Sequence, residues 1–275
     1  MAEILNVKNL SVRIGGQTSL TAVDDVSFSI RSGECFALVG ESGCGKSVLC
    51  KSILRLLPQT AKIKSGKIIV DGTDITAYRE REMTALRGSL FSMVFQDPMT
   101  ALDPTMTIGV QIAEAVLAHK PKLEKSALRA RVIELLELVG IDRTQERMAL
   151  YPHNFSGGMR QRVVLAIALA GNPHILFADE PTTALDSITQ RQIVRLLVSL
   201  VDDMGASLLF ITHDFAVLAH ATTHCYVLDE GRIVESGRTA DVLASPRDER
   251  TRRLVGAARE LTLHAGDAGD KEQSS

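Results

Sequence analysis

The chain has 275 residues and a hydrophobic content of 45%, which is enough for a buried core in one large domain or two small ones. Its formal net charge of −2 gives no basic surface of the kind that nucleic-acid binding usually needs. Tryptophan is absent and aromatic residues are few, so there is no platform for stacking bases. We therefore expect no nucleic-acid partner.

The cysteines and the start of the chain indicate a reducing compartment. None of the four cysteines shows C-x-x-C spacing, so they predict buried thiols rather than a metal site or disulfides. Residues 1–7 lack the basic start and apolar core of a signal peptide, and no apolar run reaches about 18 residues. We expect a cytosolic chain that does not span a membrane.

The first part of the chain predicts antiparallel strands. Residues 4–12 and 22–30 alternate between polar and apolar side chains, and Gly15 and Gly16 between them predict a turn. A third strand of the same kind is predicted over 66–72. We place these strands in a small β layer beside a main sheet.

Residues 40–47 read G-E-S-G-C-G-K-S and match the phosphate-binding pattern G-x-x-x-x-G-K-[ST] at each fixed position. A strand is predicted over 35–39 before this phosphate loop and a helix over 48–57 after it. In such a loop the backbone N–H groups point at phosphates, Lys46 reaches the β and γ phosphates, and the Ser47 hydroxyl binds Mg²⁺. The residues predicted to bind nucleotide are Gly40, Glu41, Ser42, Gly43, Cys44, Gly45, Lys46 and Ser47.

The middle of the chain predicts helices. A strand over 89–95 is followed by helical spacing from about 107 to 160. Apolar positions between 128 and 139 form one stripe, and Gly140 lies where a helix C-cap is expected. We interpret 98–160 as a helical insertion in an α/β domain.

A β-α-β unit and a hairpin follow. The predicted elements are a helix over 159–170, a strand over 174–178, a helix over 187–203, a strand over 207–212 and a hairpin over 226–234 that turns at Glu230 and Gly231. The segment 246–275 is expected to be a short C-terminal tail, partly disordered, since its last residues have little apolar content.

Two adjacent carboxylates follow the strand at 174–178, at the end where open α/β sheets bind ligands. Side chains alternate along a strand, so Asp179 and Glu180 point in different directions and can hold separate roles. Asp179 is placed to organise Mg²⁺ through water, and Glu180 is then available to polarise the attacking water as a general base. This ending is common in strands, and it becomes informative because the phosphate loop precedes it.

A second glycine-rich segment, Ser156-Gly157-Gly158, opens a helix whose N-terminus could attract a phosphate. Ser156 could equally be an ordinary N-cap. His213 follows another predicted strand and could donate a hydrogen bond to a γ-phosphate, although a lone histidine is more often structural.

These elements, in this order, resemble the nucleotide-binding subunit of an ABC transporter over roughly residues 4–245. The resemblance implies an α/β fold of the P-loop NTPase (RecA-like) type, with a mixed sheet, an antiparallel β layer and an inserted helical subdomain. It also implies a 1–245 ATPase domain that binds ATP and Mg²⁺.

The resemblance carries roles onto matching positions. It makes residues 40–47 the Walker A loop and 156–158 the signature segment, which completes the ATP site of the opposing subunit. The other roles are a lid glutamine that contacts Mg²⁺ (Gln96), the Walker B carboxylate (Asp179), the catalytic base (Glu180), the dimer-contacting D-loop (Ala184, Leu185 and Asp186) and the switch histidine (His213).

Three stretches, 95–104, 151–153 and 156–162, are similar to ATPases of the dipeptide, oligopeptide and nickel importer group. This resemblance implies a second ABC ATPase, identical or homologous, two integral membrane permeases and an extracytoplasmic substrate-binding protein. It also places the chain at the cytoplasmic face of the inner or plasma membrane. The segment 245–255 departs from the His-Pro-Tyr-Thr of the peptide members and is more similar to the nickel or metallophore branch.

One departure concerns the adenine. Members of the family often stack it on an aromatic residue near the position of Ile14, and no aromatic lies between Met1 and Phe28. ATP affinity or base selectivity is therefore expected to be modest.

A soluble ABC-type ATPase remains the alternative, although such proteins usually carry a coiled-coil insertion or two tandem cassettes. A non-catalytic subunit is disfavoured because every catalytic position matches.

Overall fold

The computed structural model of the chain describes residues 3–15, 19–183 and 185–258. Two compact units are present: unit 1 comprises residues 1–77 and 210–275, and unit 2 comprises residues 78–209. In chain order the elements are β1 (Glu3–Ile14), β2 (Leu20–Arg31), β3 (Cys35–Val39), α1 (Lys46–Ile53), β4 (Ala61–Val70), β5 (Thr73–Asp74), α2 (Glu80–Leu86), β6 (Phe91–Val94), α3 (Pro98–Ala101), α4 (Ile108–His119), α5 (Lys125–Leu138), α6 (Thr144–Arg147), a 3₁₀ turn (Pro152–Asn154), α7 (Gly157–Leu169), β7 (Ile175–Asp179), α8 (Ser187–Asp203), β8 (Ser207–Thr212), α9 (Phe215–Ala221), β9 (His224–Asp229), β10 (Arg232–Arg238) and α10 (Thr239–Ala244).

Unit 1 contains the predicted β layer, in which antiparallel strands follow the order β2-β1-β4-β5. Leu5 and Val7 of β1 are buried and pair with Ile30 and Phe28 of β2. The alternation in the sequence thus comes from one buried and one outer face of the layer. Strand β4 begins at Ala61, five residues before the predicted strand over 66–72. Gly16 of the predicted turn lies outside the described residues.

A second group of strands in unit 1 is mixed in direction, as predicted. β3 runs parallel to β9, with Ala37 opposite Cys225, and β9 runs antiparallel to β10. Glu230 and Gly231 form the predicted hairpin turn, and both have positive φ, which is typical of a tight two-residue hairpin. The mixed strand directions, with helices between the strands, confirm the α/β class.

The helix after the phosphate loop ends earlier than predicted. α1 stops at Ile53 rather than at residue 57 because Arg55 adopts a left-handed conformation, with φ of 57°. The Arg55 N–H then donates to Ser52 O at 3.2 Å and the Leu56 N–H to Lys51 O at 2.8 Å, which closes the helix end. This is the Schellman arrangement, with arginine where glycine is usual.

Unit 2 contains helices within the predicted helical segment 98–160 and the parallel pair β6 and β7, in which Met93 lies opposite Phe177. α7 packs against α3, α4, α5, α8 and β6, and most of its middle residues are buried. The predicted stripe of α5 is also confirmed, since Val132, Leu135 and Leu136 are buried. Gly140 follows the C-cap of α5 with a positive φ, as expected.

Part of the segment predicted as a tail is helical and belongs to unit 1. Residues 249–258 are helical, and Thr251 and Val255 are buried. The Glu235 carboxylate accepts hydrogen bonds from the N–H groups of Arg247 (2.9 Å) and Asp248 (3.0 Å) just before this helix. Partial burial raises the pKa of Glu235, but these hydrogen bonds outweigh it and the pKa is lowered. Residues 259–275 of the predicted tail lie outside the described part of the chain.

In the described ranges, no helix combines the length and the apolar character that crossing a membrane requires.

Candidate nucleotide-binding site

The phosphate loop of unit 1 follows β3 and ends where α1 begins at Lys46. A Cβ atom added to Gly40 would lie 2.1 Å from the carbonyl oxygen of Leu228, and one added to Gly45 would lie 2.2 Å from that of Ala22. Gly45 also has a φ of 109°, which favours glycine. These two glycines are therefore required by close backbone contacts with β9 and β2.

The loop is held from behind by the hairpin of β9 and β10. The Gly231 N–H donates to Cys44 O at 2.9 Å, and the Asp24 N–H donates to Gly231 O at 2.8 Å. The turn at residues 230–231 thus links β2 to the phosphate loop. These hydrogen bonds fix the curl of the loop, and a preorganised loop loses less conformational entropy when it binds a phosphate.

Lys46 is buried, and its ammonium group lies inside the curl of the loop. Its Nζ atom donates to Gly40 O at 2.8 Å and to Glu41 O at 2.7 Å. The crown of the loop at residues 41–43 is exposed, whereas Ser47 is half-buried in the first turn of α1. A fixed cation within a glycine cradle at a helix N-terminus is suited to the phosphates of a nucleotide.

The Cys44 thiol is a buried part of this loop. Burial raises the pKa of the Cys44 thiol, and the Lys46 ammonium, 3.9 Å from its sulfur, opposes that shift. Cys50 and Cys225 are buried as well, and Cys35 is half-buried.

Unit 2 carries the two carboxylates at the end of β7. Asp179 is buried, and Glu180 is half-buried with a left-handed backbone, φ 46°. Such a conformation costs on the order of 1–3 kcal/mol in a non-glycine residue and persists only where its surroundings hold it. Thr183 does so, because its Oγ1 atom donates to the Glu180 backbone oxygen at 3.2 Å and to Oε2 at 3.1 Å.

Gln96 completes this cluster. Its Nε2 atom donates to Glu180 Oε2 at 3.2 Å. The contact arises because β6 and β7 are parallel neighbours, with Val94 opposite Ala178, so the residues that follow both strands meet at one edge. Gln96 and Glu180 were predicted as site residues from their motifs, whereas their contact and the hydrogen bond from Thr183 come from the packing of the chain.

The signature segment lies at the start of α7 in unit 2. Ser156 is its N-cap, and its Oγ atom accepts the Met159 N–H at 3.4 Å. A Cβ atom on Gly158 would lie 2.6 Å from Thr189 Cγ2, and one on Gly157 would lie 3.3 Å from Leu185 Cδ2. The glycines therefore allow the N-terminus of α7 to approach that of α8.

Asp186 is the N-cap of α8 and lies in the same region. Its Oδ1 atom accepts the N–H groups of Thr189 (3.0 Å) and Ile188 (3.1 Å). The hydrogen bond from the Thr189 N–H is the main cause that lowers the Asp186 pKa. Ala184 of the predicted D-loop lies outside the described residues. The structure thus brings the signature segment and the rest of the predicted D-loop together within unit 2.

His213 lies directly after β8, in the part of the chain assigned to unit 1, and is exposed. Thr212 Oγ1 accepts the Asp214 N–H at 3.0 Å, which fixes the turn on either side of the histidine. The predicted site residues therefore fall into a phosphate-loop group with His213 in unit 1 and a carboxylate and signature group in unit 2.

Comparison with known proteins shows the family to which the chain belongs. A family model described as ABC transporter matches residues 23–183. The chain is 45% identical to the dipeptide transport ATP-binding protein DppD of Bacillus subtilis (strain 168), covering 97% of this chain and 80% of DppD. It is also 45% identical to the oligopeptide transport ATP-binding protein OppD of that organism, covering 90% of this chain and 69% of OppD.

A solved structure shows the same fold. The dimeric post-hydrolysis state of the ATP-binding cassette MJ0796, bound to ADP and Pi, has a TM-score of 0.76 and 28% identity, covering 86% of this chain and 98% of that chain. The chain therefore belongs to the ABC transporter family and is an ATP-hydrolysing transport ATPase of that family.

Proposed function

We propose that this chain powers the import of dipeptides or oligopeptides. The observation that carries the proposal is its 45% identity, along most of its length, to ATP-binding proteins of dipeptide and oligopeptide transport. These relatives favour peptides over the nickel or metallophore substrate that the segment 245–255 suggested. The chain then works as a peripheral subunit at the cytoplasmic face of the inner or plasma membrane.

Residues 40–47 bind the phosphates of ATP in this proposal. The glycine cradle that leaves no room for a Cβ atom fits a polyphosphate close to the backbone. Ser47, Gln96 and Asp179 each offer an oxygen of the kind that Mg²⁺ prefers. Mg²⁺, when bound, neutralises charge on the β and γ phosphates.

Glu180 is the general base, and its carboxylate polarises the attacking water. The hydrogen bonds from Gln96 and Thr183 orient that carboxylate. His213 donates a hydrogen bond to the γ-phosphate. The ATPase domain is proposed to span residues 1–245, with a helical subdomain inserted at about 98–160.

A partner ATPase completes the reaction. The signature segment and Asp186 lie together, and beside them the large apolar side chain of Ile188 is 62% exposed. We assign this face to contact with a second ABC ATPase, identical or homologous. Each nucleotide then lies between the phosphate loop of one subunit and the signature segment of the other.

A groove of about 720 Å³ within unit 2 is the proposed docking site for a permease. Its walls include Ala115 and His119 of α4 and Ile167 of α7, and Phe95 forms part of its lining. Phe95 is 40% exposed and immediately precedes Gln96, which contacts Glu180. A permease segment in the groove would therefore press on the residue next to the lid glutamine.

Filling the groove should uncouple the chain from its permeases. We expect Ala115→Trp to reduce co-purification with two integral membrane proteins at least about 10-fold, because a large side chain occupies a site that a well-packed partner needs. ATP binding by the isolated chain should stay unchanged. The measurement is affinity purification of the tagged chain from detergent-extracted membranes.

Ala130→Trp is the matched control, since Ala130 is exposed on α5 and lies outside the groove. It should co-purify like the wild type. Undiminished recovery of membrane proteins with Ala115→Trp would refute the docking site, and recovery of ribosomes or DNA instead would support a soluble ATPase.

Deletion of the gene should abolish peptide import. We expect a strain that needs one amino acid to stop growing on a dipeptide that contains it, while uptake of radioactive nickel stays at the wild-type level. Complementation by the wild-type chain, but not by Glu180→Gln, ties the defect to hydrolysis. Normal growth on di- and oligopeptides together with lost nickel uptake would overturn the peptide assignment.

A further inference from the structure

Arg160 lies in the first turn of α7, just after the signature segment. Its Nε atom donates to Pro152 O at 2.8 Å, in the 3₁₀ turn that precedes the segment. Its Nη1 atom contacts Met99 Sδ at 2.8 Å, in α3. One guanidinium group therefore joins α3 to the 3₁₀ turn and to the start of α7, which follow it much later in the sequence.

Met99 is only three residues from Gln96, which contacts the carboxylate of Glu180. Asp97 caps α3 by accepting the Met99 N–H at 2.8 Å, and the neighbouring Gln96 donates to Glu180 Oε2 at 3.2 Å. Since α3 spans only four residues, it is too short to be stable without outside contacts. The position of Gln96 thus depends on α3, which follows it, as well as on β6, which precedes it.

The outer side of α3 is open to solvent. Pro98 is buried beneath it, whereas Met99 is 55% exposed and Thr100 is exposed. The contact from Arg160 is therefore well placed to keep α3 against α7, and the two helices do pack together.

Arg162, two residues along the same helix, has a different role. Its Nη1 atom donates to Val139 O at 2.7 Å, at the C-terminal end of α5. Arg162 thus offers an arginine-to-carbonyl bond of the same chemistry that does not touch α3.

We infer that Arg160 is a positioning residue that fixes α3, and with it Gln96, against the start of the signature helix. It acts through Met99 and Pro152. The consequence is that the contact between Gln96 and Glu180 and the signature segment shift as one body. The inference rests on the proposed roles of Gln96 and of the signature segment.

The first test is amide hydrogen exchange of the full chain without nucleotide. We expect Arg160→Gln to raise exchange about 10-fold over residues 96–102, because the local opening of α3 becomes easier. Arg162→Gln should leave these residues unchanged and raise exchange near 139–141 instead. Met99→Ala removes the other side of the contact at an exposed site and should reproduce the effect of Arg160→Gln.

The second test is steady-state ATP hydrolysis by the same variants. We expect Arg160→Gln to lower kcat about 5- to 20-fold and to leave KM for ATP within about twofold, since the phosphate loop is untouched. Arg160→Lys should recover part of kcat, because an ammonium group can still donate to Pro152 O. Arg162→Gln should keep kcat within about twofold of the wild type.

Unchanged exchange over residues 96–102 in both Arg160→Gln and Met99→Ala would overturn the inference. So would equal losses of kcat in Arg160→Gln and Arg162→Gln, which would indicate a general effect on folding. The exchange measurement uses no ATP, so it decides the role of Arg160 even where the proposed function fails. That failure would appear separately, as a wild-type chain that does not support peptide import.

Discussion

Glu180→Gln should lower kcat for ATP hydrolysis about 10²- to 10⁴-fold, the range expected when a general base is removed. Glutamine keeps the size of the side chain and an oxygen that accepts hydrogen bonds from Gln96 or Thr183, so the left-handed backbone at this position should persist. ATP affinity should change by less than about threefold, because the phosphate contacts remain. Turnover is measured in a coupled assay and binding by equilibrium titration.

The same variant should stabilise the ATP-bound dimer. If hydrolysis opens the dimer, sedimentation should show that Glu180→Gln with ATP stays associated, whereas the wild type returns to smaller species. Glu137→Gln is the matched control, since Glu137 is an exposed carboxylate on α5 of the same unit. Undiminished hydrolysis by Glu180→Gln would remove this residue from the role of base, and an equal loss in Glu137→Gln would point to a nonspecific effect.

The local parts of the site were predictable from the sequence. The strand at residues 35–39, the glycine loop and the start of a helix follow one another, so their order depends only on neighbouring residues. The bounds of α8 and β8 also agree with the prediction, because each is an apolar pattern with polar or turn residues at both ends. Elements whose bounds depend only on neighbouring residues could therefore be predicted from the sequence.

The contacts that orient the site residues could not be predicted from the sequence. The hydrogen bond from Gln96 to Glu180 depends on β6 and β7 being neighbours, although more than 70 residues separate the strands, 91–94 and 175–179. α1 ends early because Arg55 adopts a left-handed conformation, at a position where helices usually have glycine. Both features arise from the packed chain, and neither leaves a signal in a short window of sequence.

Lys46→Ala should act one step earlier than Glu180→Gln, at ATP binding. Gly40 O and Glu41 O hold the wild-type ammonium group inside the loop, so the Lys46 side chain loses little conformational entropy when phosphates bind. Loss of charged hydrogen bonds of this kind, worth about 1.5–3 kcal/mol, should raise the ATP dissociation constant about 10- to 150-fold. Isothermal titration of the purified chain with ATP and Mg²⁺ measures it.

The variant also separates binding from structure. Alanine removes the donor that Gly40 O and Glu41 O share, so the melting temperature must be measured alongside affinity.

Lys51→Ala is the matched control, because Lys51 lies in the last turn of the same helix, outside the loop. The ATP affinity of this variant should stay within about twofold of the wild type. An unchanged dissociation constant in Lys46→Ala would contradict the role of Lys46. A loss of affinity in both variants would indicate that the helix, rather than the ammonium group, was disturbed. Weak binding in Lys46→Ala with normal binding in Glu180→Gln would show that one residue serves binding and the other serves hydrolysis.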